Sequence, residues 1–86
     1  MKWTMNPKIA KNLDYYMSLP YTIELTPDTD GYWFAEIPLL EGCMTNGENW
    51  DDALEMIQDA KRAWLITALE LSLAIPEPEP VAHETE

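Results

Sequence analysis

The sequence has very little of the chemistry that builds disulfides or metal sites. Its 86 residues include one cysteine, Cys43, and one histidine, His83. A lone cysteine cannot form an internal disulfide, and this pair cannot supply the four ligands of a tetrahedral zinc site. We therefore expect no metal and no other cofactor, and we expect a reducing, cytoplasmic environment.

Long apolar runs are missing too. A transmembrane helix is indicated by about 18 or more consecutive apolar residues, and no run of that length occurs. Residues 1–11 contain lysines but no apolar stretch of signal-peptide length. The sequence thus predicts neither a membrane-spanning chain nor one secreted by a recognisable signal.

Positive charge is scarce, and the middle of the chain has none. The chain carries 5 Lys and Arg against 16 Asp and Glu, a net charge of -11. No basic residue occurs between Leu19 and Ala60, whereas the acidic residues of that stretch are Glu24, Asp28, Asp30, Glu36, Glu41, Glu48, Asp51, Asp52, Glu55 and Asp59. Such a surface repels phosphate backbones and anionic membranes and attracts basic partners. We expect a small basic protein as the partner, with no direct binding to nucleic acid or membrane.

Hydrophobic residues, by contrast, are plentiful. They make up 47% of the chain and include four Trp and four Tyr, which is too apolar a composition for a disordered acidic segment. A single domain of this size buries only about 60 to 65% of the surface that its unfolded chain exposes, so its stability is modest. We expect self-association into a dimer or tetramer to increase that stability.

The N-terminal part predicts a short helix. Asn6 followed by Pro7 is a typical helix start, with a capping residue and a first-turn proline. Apolar residues then recur at helical spacing until Pro20 stops the pattern. We predict a helix from Pro7 to about Ser18.

A β-hairpin is predicted next. Apolar and polar residues alternate over Tyr21–Thr26 and over Tyr32–Ile37, and the intervening Pro27–Gly31 has turn chemistry. If Thr26 lies opposite Tyr32, the core-side pairs are Leu25 with Trp33, Ile23 with Ala35, and Tyr21 with Ile37. The outer side then presents Thr22, Glu24, Thr26, Tyr32, Phe34 and Glu36. Aromatic rings among carboxylates on a sheet surface indicate a contact surface.

A third strand and a long helix complete the pattern. We predict a short strand around Cys43–Thr45, followed by a turn at residues 46–47. Asn49 then caps a helix that runs from Trp50 to about Leu73, because its side-chain oxygen can accept the free amide of Asp52. An apolar stripe along this helix would cover one face of the sheet. Its residues are Trp50, Ala53, Leu54, Ile57, Ala60, Trp64, Ala68 and Leu71.

Together these elements predict an α+β fold. Its three-stranded antiparallel sheet, a hairpin plus a short third strand, lies beside an N-terminal helix and a long C-terminal helix. The single domain would span residues 1–75. From Pro76 to Glu86 proline alternates with acidic residues at first, which favours an extended, flexible tail.

Several stretches resemble the HicB-like antitoxin family. The first are Tyr15–Ile23, with the sequence YYMSLPYTI, and Asp30–Pro38, with the sequence DGYWFAEIP. The match continues through Gly42-Cys43, Gly47-Glu48-Asn49, Asp52-Ala53-Leu54, and Ala60 before Trp64. The resemblance covers about Tyr15 to Pro78, and the order and spacing of the stretches make it fairly specific.

The resemblance implies a compact α+β module with a partial ribonuclease-H-like fold. It also implies a partner, HicA, which is a small basic ribonuclease toxin that acts on messenger RNA and is silenced by the antitoxin. Members of the family often carry a C-terminal DNA-binding segment. None is evident in this sequence, so direct operator binding is not expected.

Enzymatic readings find little support. The serines Ser18 and Ser72 have no base near them in sequence, and His83 lies in the predicted tail. Glu24 and Glu36 could lie diagonally about 7 to 8 Å apart on the outer face, but a metal nuclease needs more converging carboxylates. We predict that the chain is not an enzyme and has no catalytic residues.

The leading hypothesis is a type II antitoxin that occludes a HicA-like toxin. Glu24, Asp30 and Glu36 would pair with lysines or arginines of the toxin. Tyr32 and Phe34 would be the buried anchors that slow dissociation. The alternative is a stand-alone, oligomeric HicB-like interaction module without a toxin partner.

Overall fold

The computed structural model describes residues 7–78, which form two helices and a three-stranded sheet. The elements are α1 (Pro7–Met17), β1 (Glu24–Pro27), β2 (Trp33–Glu36), β3 (Met44–Gly47) and α2 (Trp50–Glu70). The predicted α+β class, with an antiparallel sheet and a helix at each end, is confirmed. The expectations for residues 1–6 and 79–86, including His83 and most of the tail, lie outside the described residues.

Helix α1 packs against α2 rather than lying directly on the sheet. It begins at Pro7, where the missing amide proton costs nothing, and ends at Met17, close to the predicted boundary. Leu13 is its buried residue and joins the core. The α1 end is also held by Lys61 of α2, whose Nζ donates to the carbonyl oxygen of Met17 at 3.3 Å.

The strands lie in the order β1-β2-β3, and both pairs are antiparallel. The predicted hairpin register is wrong by two residues, because Thr26 lies opposite Phe34 rather than Tyr32. The loop is shorter than predicted. The amide of Asp28 donates to the carbonyl of Tyr32 at 2.7 Å, and Gly31 with φ +95 closes a three-residue loop. A shift by two keeps every side chain on its predicted face, since the side-chain period of a strand is two.

Strand β1 also begins later than predicted, at Glu24 rather than Tyr21. The amide of Tyr21 donates to the carbonyl of Leu19 at 2.9 Å across Pro20. This two-residue spacing is that of a γ-turn, whose central φ suits proline. The turn uses the Tyr21 amide locally, and the ladder with β2 starts only after it.

Strand β3 is displaced toward the helix relative to the prediction. It spans Met44–Gly47, so Asn46 and Gly47 lie in the ladder opposite Phe34 and Trp33 instead of forming a turn. The chain turns one step later, at residues 48–49. Gly47 is buried there against the first turn of α2.

Helix α2 starts at the predicted cap. Asn49 Oδ1 accepts the amide of Asp52 at 2.9 Å, and the Asp52 carboxylate accepts the amide of Glu48 at 2.9 Å. The helix ends at Glu70, a turn before the predicted Leu73. Ser72 adopts a left-handed conformation with φ 56, and the amide of Leu73 donates to Ala68 at 2.8 Å, which is the geometry of a Schellman stop.

The core lies between α2 and the inner face of the sheet and extends under α1. Its buried residues are Leu13, Tyr21, Ala35, Ile37, Leu40, Cys43, Ala53, Ile57 and Leu65. Most of the predicted stripe of α2 faces this core, but Trp50 and Leu71 are exposed, at 55% and 64%. Trp50, at the start of the helix, keeps a ring contact with Trp33 of β2, whereas Leu71 is the C-cap beyond the last helical residue.

Candidate functional site

The candidate site is the face of the sheet that α2 does not cover. It consists of two cross-strand rows, Glu24–Glu36–Met44 and Thr26–Phe34–Asn46, with Tyr32 just beyond β2. We call this set of seven residues the outer sheet face. The alternation of β2 creates it, because Ala35 is fully buried on the inner side while its neighbours Phe34 and Glu36 point outward.

Two carboxylates of the outer sheet face are direct neighbours. Glu24 and Glu36 are register partners, so the predicted diagonal placement is corrected to a directly opposed pair. Like charges in opposed positions destabilise a sheet. The strands and their loops carry no basic residue that could offset this repulsion. A cation supplied from outside would relieve it.

The first basic residue after the three strands is Lys61, and its side chain is engaged elsewhere in the molecule. Lys61 is buried, with Nζ on the Met17 carbonyl and 5.5 Å from the centroid of the Tyr21 ring. Burial lowers the pKa of its ammonium group. Lys61 therefore serves the packing of α1 on α2 and does not neutralise the outer sheet face.

Aromatic side chains stand beside the carboxylate pair. Tyr32 is 51% exposed and Phe34 is half-buried. They contribute to a concavity of about 280 Å³, which we call the hairpin pocket. Its lining residues are Thr26, Pro27, Asp28, Tyr32, Trp33, Phe34 and Asn46. Asp28 is held in place there, because its Oδ1 accepts the amide of Thr29 at 2.7 Å.

The structure brings together four of the five residues predicted for partner binding. Glu24, Glu36, Tyr32 and Phe34 share one side of the sheet. Asp30 is exposed in the hairpin loop, at the rim rather than on the face. Three further residues belong to this surface although the sequence pattern does not indicate them: Met44, Asn46 and Asp28. The first two become visible only once β3 is paired with β2, and Asp28 only once the hairpin loop is shortened.

A second, larger groove runs between β3 and the C-terminal half of α2. Its volume is about 600 Å³, and its lining includes Met44, Trp64 and Leu73. The indole of Trp64 donates through Nε1 to the carbonyl of Glu41, another lining residue, at 2.8 Å. Cys43 also lines this groove, and burial raises the pKa of its thiol, which disfavours the reactive thiolate.

Residues 7–78 contain no candidate metal centre. In that part of the chain, no three or more His, Cys, Asp or Glu side chains converge as a metal ion would require. Neither helix in this part of the chain is long and apolar enough to cross a bilayer. The outer sheet face combines two carboxylates with exposed aromatic rings, a composition suited to contact with another protein.

Comparisons with known proteins agree with this picture. The family model described as "HicB_like antitoxin of bacterial toxin-antitoxin system" matches residues 20–86. The chain is 40% identical over 47 residues to a UPF0150 protein of Thermoplasma acidophilum, which covers 55% of this chain and 68% of that protein. It is 37% identical over 59 residues to a UPF0150 protein of Synechocystis sp., and this match covers 69% of this chain and 81% of that protein. No solved structure matches significantly.

Proposed function

Because this chain belongs to the HicB-like antitoxin family, we propose that it is the antitoxin of a type II toxin–antitoxin pair. It binds a small, basic, HicA-like toxin that cleaves messenger RNA. Its outer sheet face covers the cationic surface with which the toxin holds RNA. The chain itself performs no chemistry, and it acts in the cytoplasm, where the messenger is found.

The observation that carries this proposal is the opposed pair Glu24 and Glu36 on a face without basic residues. A ribonuclease needs a positive surface to attract its polyanionic substrate. An acidic protein surface competes for that same area. Pairing with toxin cations would also remove the repulsion between the two glutamates.

Charge and aromatic contact have separate tasks in this proposal. The acidic surface, with Asp30 at its rim, speeds the encounter with a basic protein. Tyr32 and Phe34 bury apolar area once contact is made and so slow dissociation, because large aromatic side chains dominate binding energy at interfaces.

The proposal is tested by reversing the charge of the opposed pair. The double variant Glu24→Lys with Glu36→Lys should bind the basic protein encoded by the adjacent reading frame at least about tenfold more weakly. Surface plasmon resonance measures the affinity, and co-expression measures rescue of growth. Circular dichroism should show an unchanged fold, since both side chains lie on the sheet surface.

The matched control is Glu55→Lys with Asp59→Lys. It changes the net charge equally but on exposed positions of α2. We expect its affinity to stay within about threefold of the original, because exposed charges away from an interface act only through the long-range field. Equal weakening by both double variants, or no complex with the original chain, contradicts the proposal.

A second candidate function is a stand-alone oligomeric interaction module. The groove between β3 and α2 favours it, because Met44 and Leu73 on its rim are about half exposed, at 47% and 54%. A second copy of the chain could cover these side chains. Light scattering on the purified protein tests this: a dimer or tetramer that Ala63→Glu in the groove converts to a monomer would support it.

A further inference from the structure

We propose that the hairpin pocket is a receptor for one arginine side chain of the basic partner. The inference rests on the proposed function, since it assigns a specific contact to the same face. The pocket of about 280 Å³ is smaller than the roughly 300–1,000 Å³ typical of small-molecule sites. Its size suits a single long side chain inserted from a neighbouring protein.

The place of the pocket in the hairpin explains its shape. It lies between the row Thr26–Phe34–Asn46 and the next cross-strand pair, Asp28 and Tyr32. The three-residue loop brings Asp28 directly opposite Tyr32, because the Asp28 amide bonds to the Tyr32 carbonyl. With a longer loop, the carboxylate would stand farther from the rings.

The chemistry of the lining selects a cation. Tyr32 and Phe34 offer aromatic rings, whose faces attract positive charge. Asp28 adds a carboxylate that its bond to the Thr29 amide holds in place. No lysine or arginine lies anywhere between residues 19 and 60 to compete for the site or to attract an anion.

The same lining favours arginine over lysine. A guanidinium group is planar, stacks on aromatic rings and presents five donors in a fixed fork. Asp28, Thr26 and Asn46 line the pocket, and each has a side-chain oxygen that can accept a hydrogen bond. The compact, strongly hydrated ammonium group of lysine cannot stack on a ring in this way.

The experiment uses the full-length protein and a defined probe. Acetyl-arginine amide is titrated in the millimolar range and followed by amide chemical shifts, with acetyl-citrulline amide as the neutral isostere. We expect saturable shifts at Tyr32, Phe34 and Asn46 with arginine and none with citrulline. Equal shifts with both probes, or shifts spread over the whole acidic surface, would overturn the inference.

Two charge-neutralising variants distinguish arginine binding in the hairpin pocket from general attraction by the acidic surface. Asp28→Asn keeps an acceptor for the Thr29 amide and should weaken arginine binding by about threefold to tenfold. Asp59→Asn removes the same charge from an exposed position on α2 that does not line the pocket, and it should leave binding within about twofold. Equal effects of the two variants would refute the pocket.

Failure of the arginine pocket can be distinguished from failure of the proposed antitoxin function. If the chain binds the basic product of the adjacent reading frame and Asp28→Asn leaves that affinity unchanged, the arginine pocket is wrong and the antitoxin role stands. If no such complex forms while arginine selectivity is observed, the pocket stands and the proposed toxin partnership fails.

Discussion

At the scale of single residues, Gly47 illustrates what a sequence does not reveal. Asn46-Gly47 predicts a turn, yet Gly47 lies in β3, and it is not among the glycines with positive φ, Gly31 and Gly42. A Cβ at Gly47 would stand 2.7 Å from Ala53 Cα and 2.8 Å from the Asp52 carbonyl carbon. The glycine is needed because a strand end meets a helix backbone, and local turn chemistry cannot predict that contact.

Gly47→Ala should therefore be strongly destabilising. The added methyl group would overlap backbone atoms of α2, which cannot rotate away, so we expect a loss near or above the upper end of the roughly 1–3 kcal/mol typical of overpacking. Urea denaturation measures it. Gly42→Ala is the comparison, because its Cβ would meet open space and only its φ of +84 is strained, at a cost of about 1 kcal/mol. A smaller effect at Gly47 than at Gly42 would contradict this account.

Tyr21 gives the molecule a defined response to alkaline pH. Burial, reinforced by the nearby charge of Glu77, raises the pKa of its phenol to about 12, and the hydroxyl donates to the Pro76 carbonyl at 2.5 Å. The unfolded chain loses this proton near pH 10, whereas the folded chain keeps it to about pH 12. Stability should consequently fall as the pH rises from about 10 to 12.

The variant Tyr21→Phe isolates this effect. At pH 8 it should be less stable than the original by about 1 kcal/mol, the value of the lost hydrogen bond. At pH 11 the difference should shrink, because the phenylalanine has no proton to lose. Urea midpoints of both proteins at both pH values measure the change, and other titrating groups cancel in the comparison. A difference that is constant with pH would be evidence against a raised phenol pKa.

At the scale of elements, the sequence predicted which helices and strands exist better than it predicted how the strands pair. Helical periodicity and the Asn49 cap located both helices, and alternation located the hairpin. The register was wrong because it depends on loop length, and the five turn-forming residues 27–31 do not reveal that only three of them lie beyond the last hydrogen-bonded pair.

The residue that stops α2 has a strained backbone conformation that a substitution can relieve. Ser72 occupies the left-handed position of the Schellman stop, which glycine adopts without cost. Ser72→Gly should stabilise the protein by about 0.5–1 kcal/mol after the greater freedom of the unfolded glycine is subtracted. That gain corresponds to roughly 3–6 °C in Tm. Ser18→Gly is the control and should destabilise, because Ser18 Oγ donates to the Tyr15 carbonyl at 2.7 Å.

At the scale of the whole molecule, charge was the property most readable from sequence. The absence of basic residues between Leu19 and Ala60 is evident from the sequence alone. The outer sheet face lacks basic residues because its strands lie within that stretch. The composition of the hairpin pocket could not be anticipated, because Asn46 and Asp28 reach it only through the observed pairing. The division into a domain of residues 1–75 and a tail stays a prediction.

One kinetic prediction belongs to this scale. Raising NaCl from about 50 mM to about 500 mM should slow association with the basic partner by at least tenfold, because salt screens the field that steers the two proteins together. The dissociation rate should change far less, since buried aromatic contacts govern it. Stopped-flow mixing separates the two rates. An association rate insensitive to salt would argue against electrostatic steering.

The tryptophans at the junction of hairpin and helix have a practical consequence. Trp33 lines the hairpin pocket, and its ring centroid lies 6.3 Å from that of Trp50 at the start of α2, with 48° between the ring planes. Indoles this close and inclined couple their excited states. We therefore expect an exciton signal in the far-ultraviolet circular dichroism spectrum that changes when either ring moves. Binding in the hairpin pocket would then be detectable by circular dichroism without any attached dye.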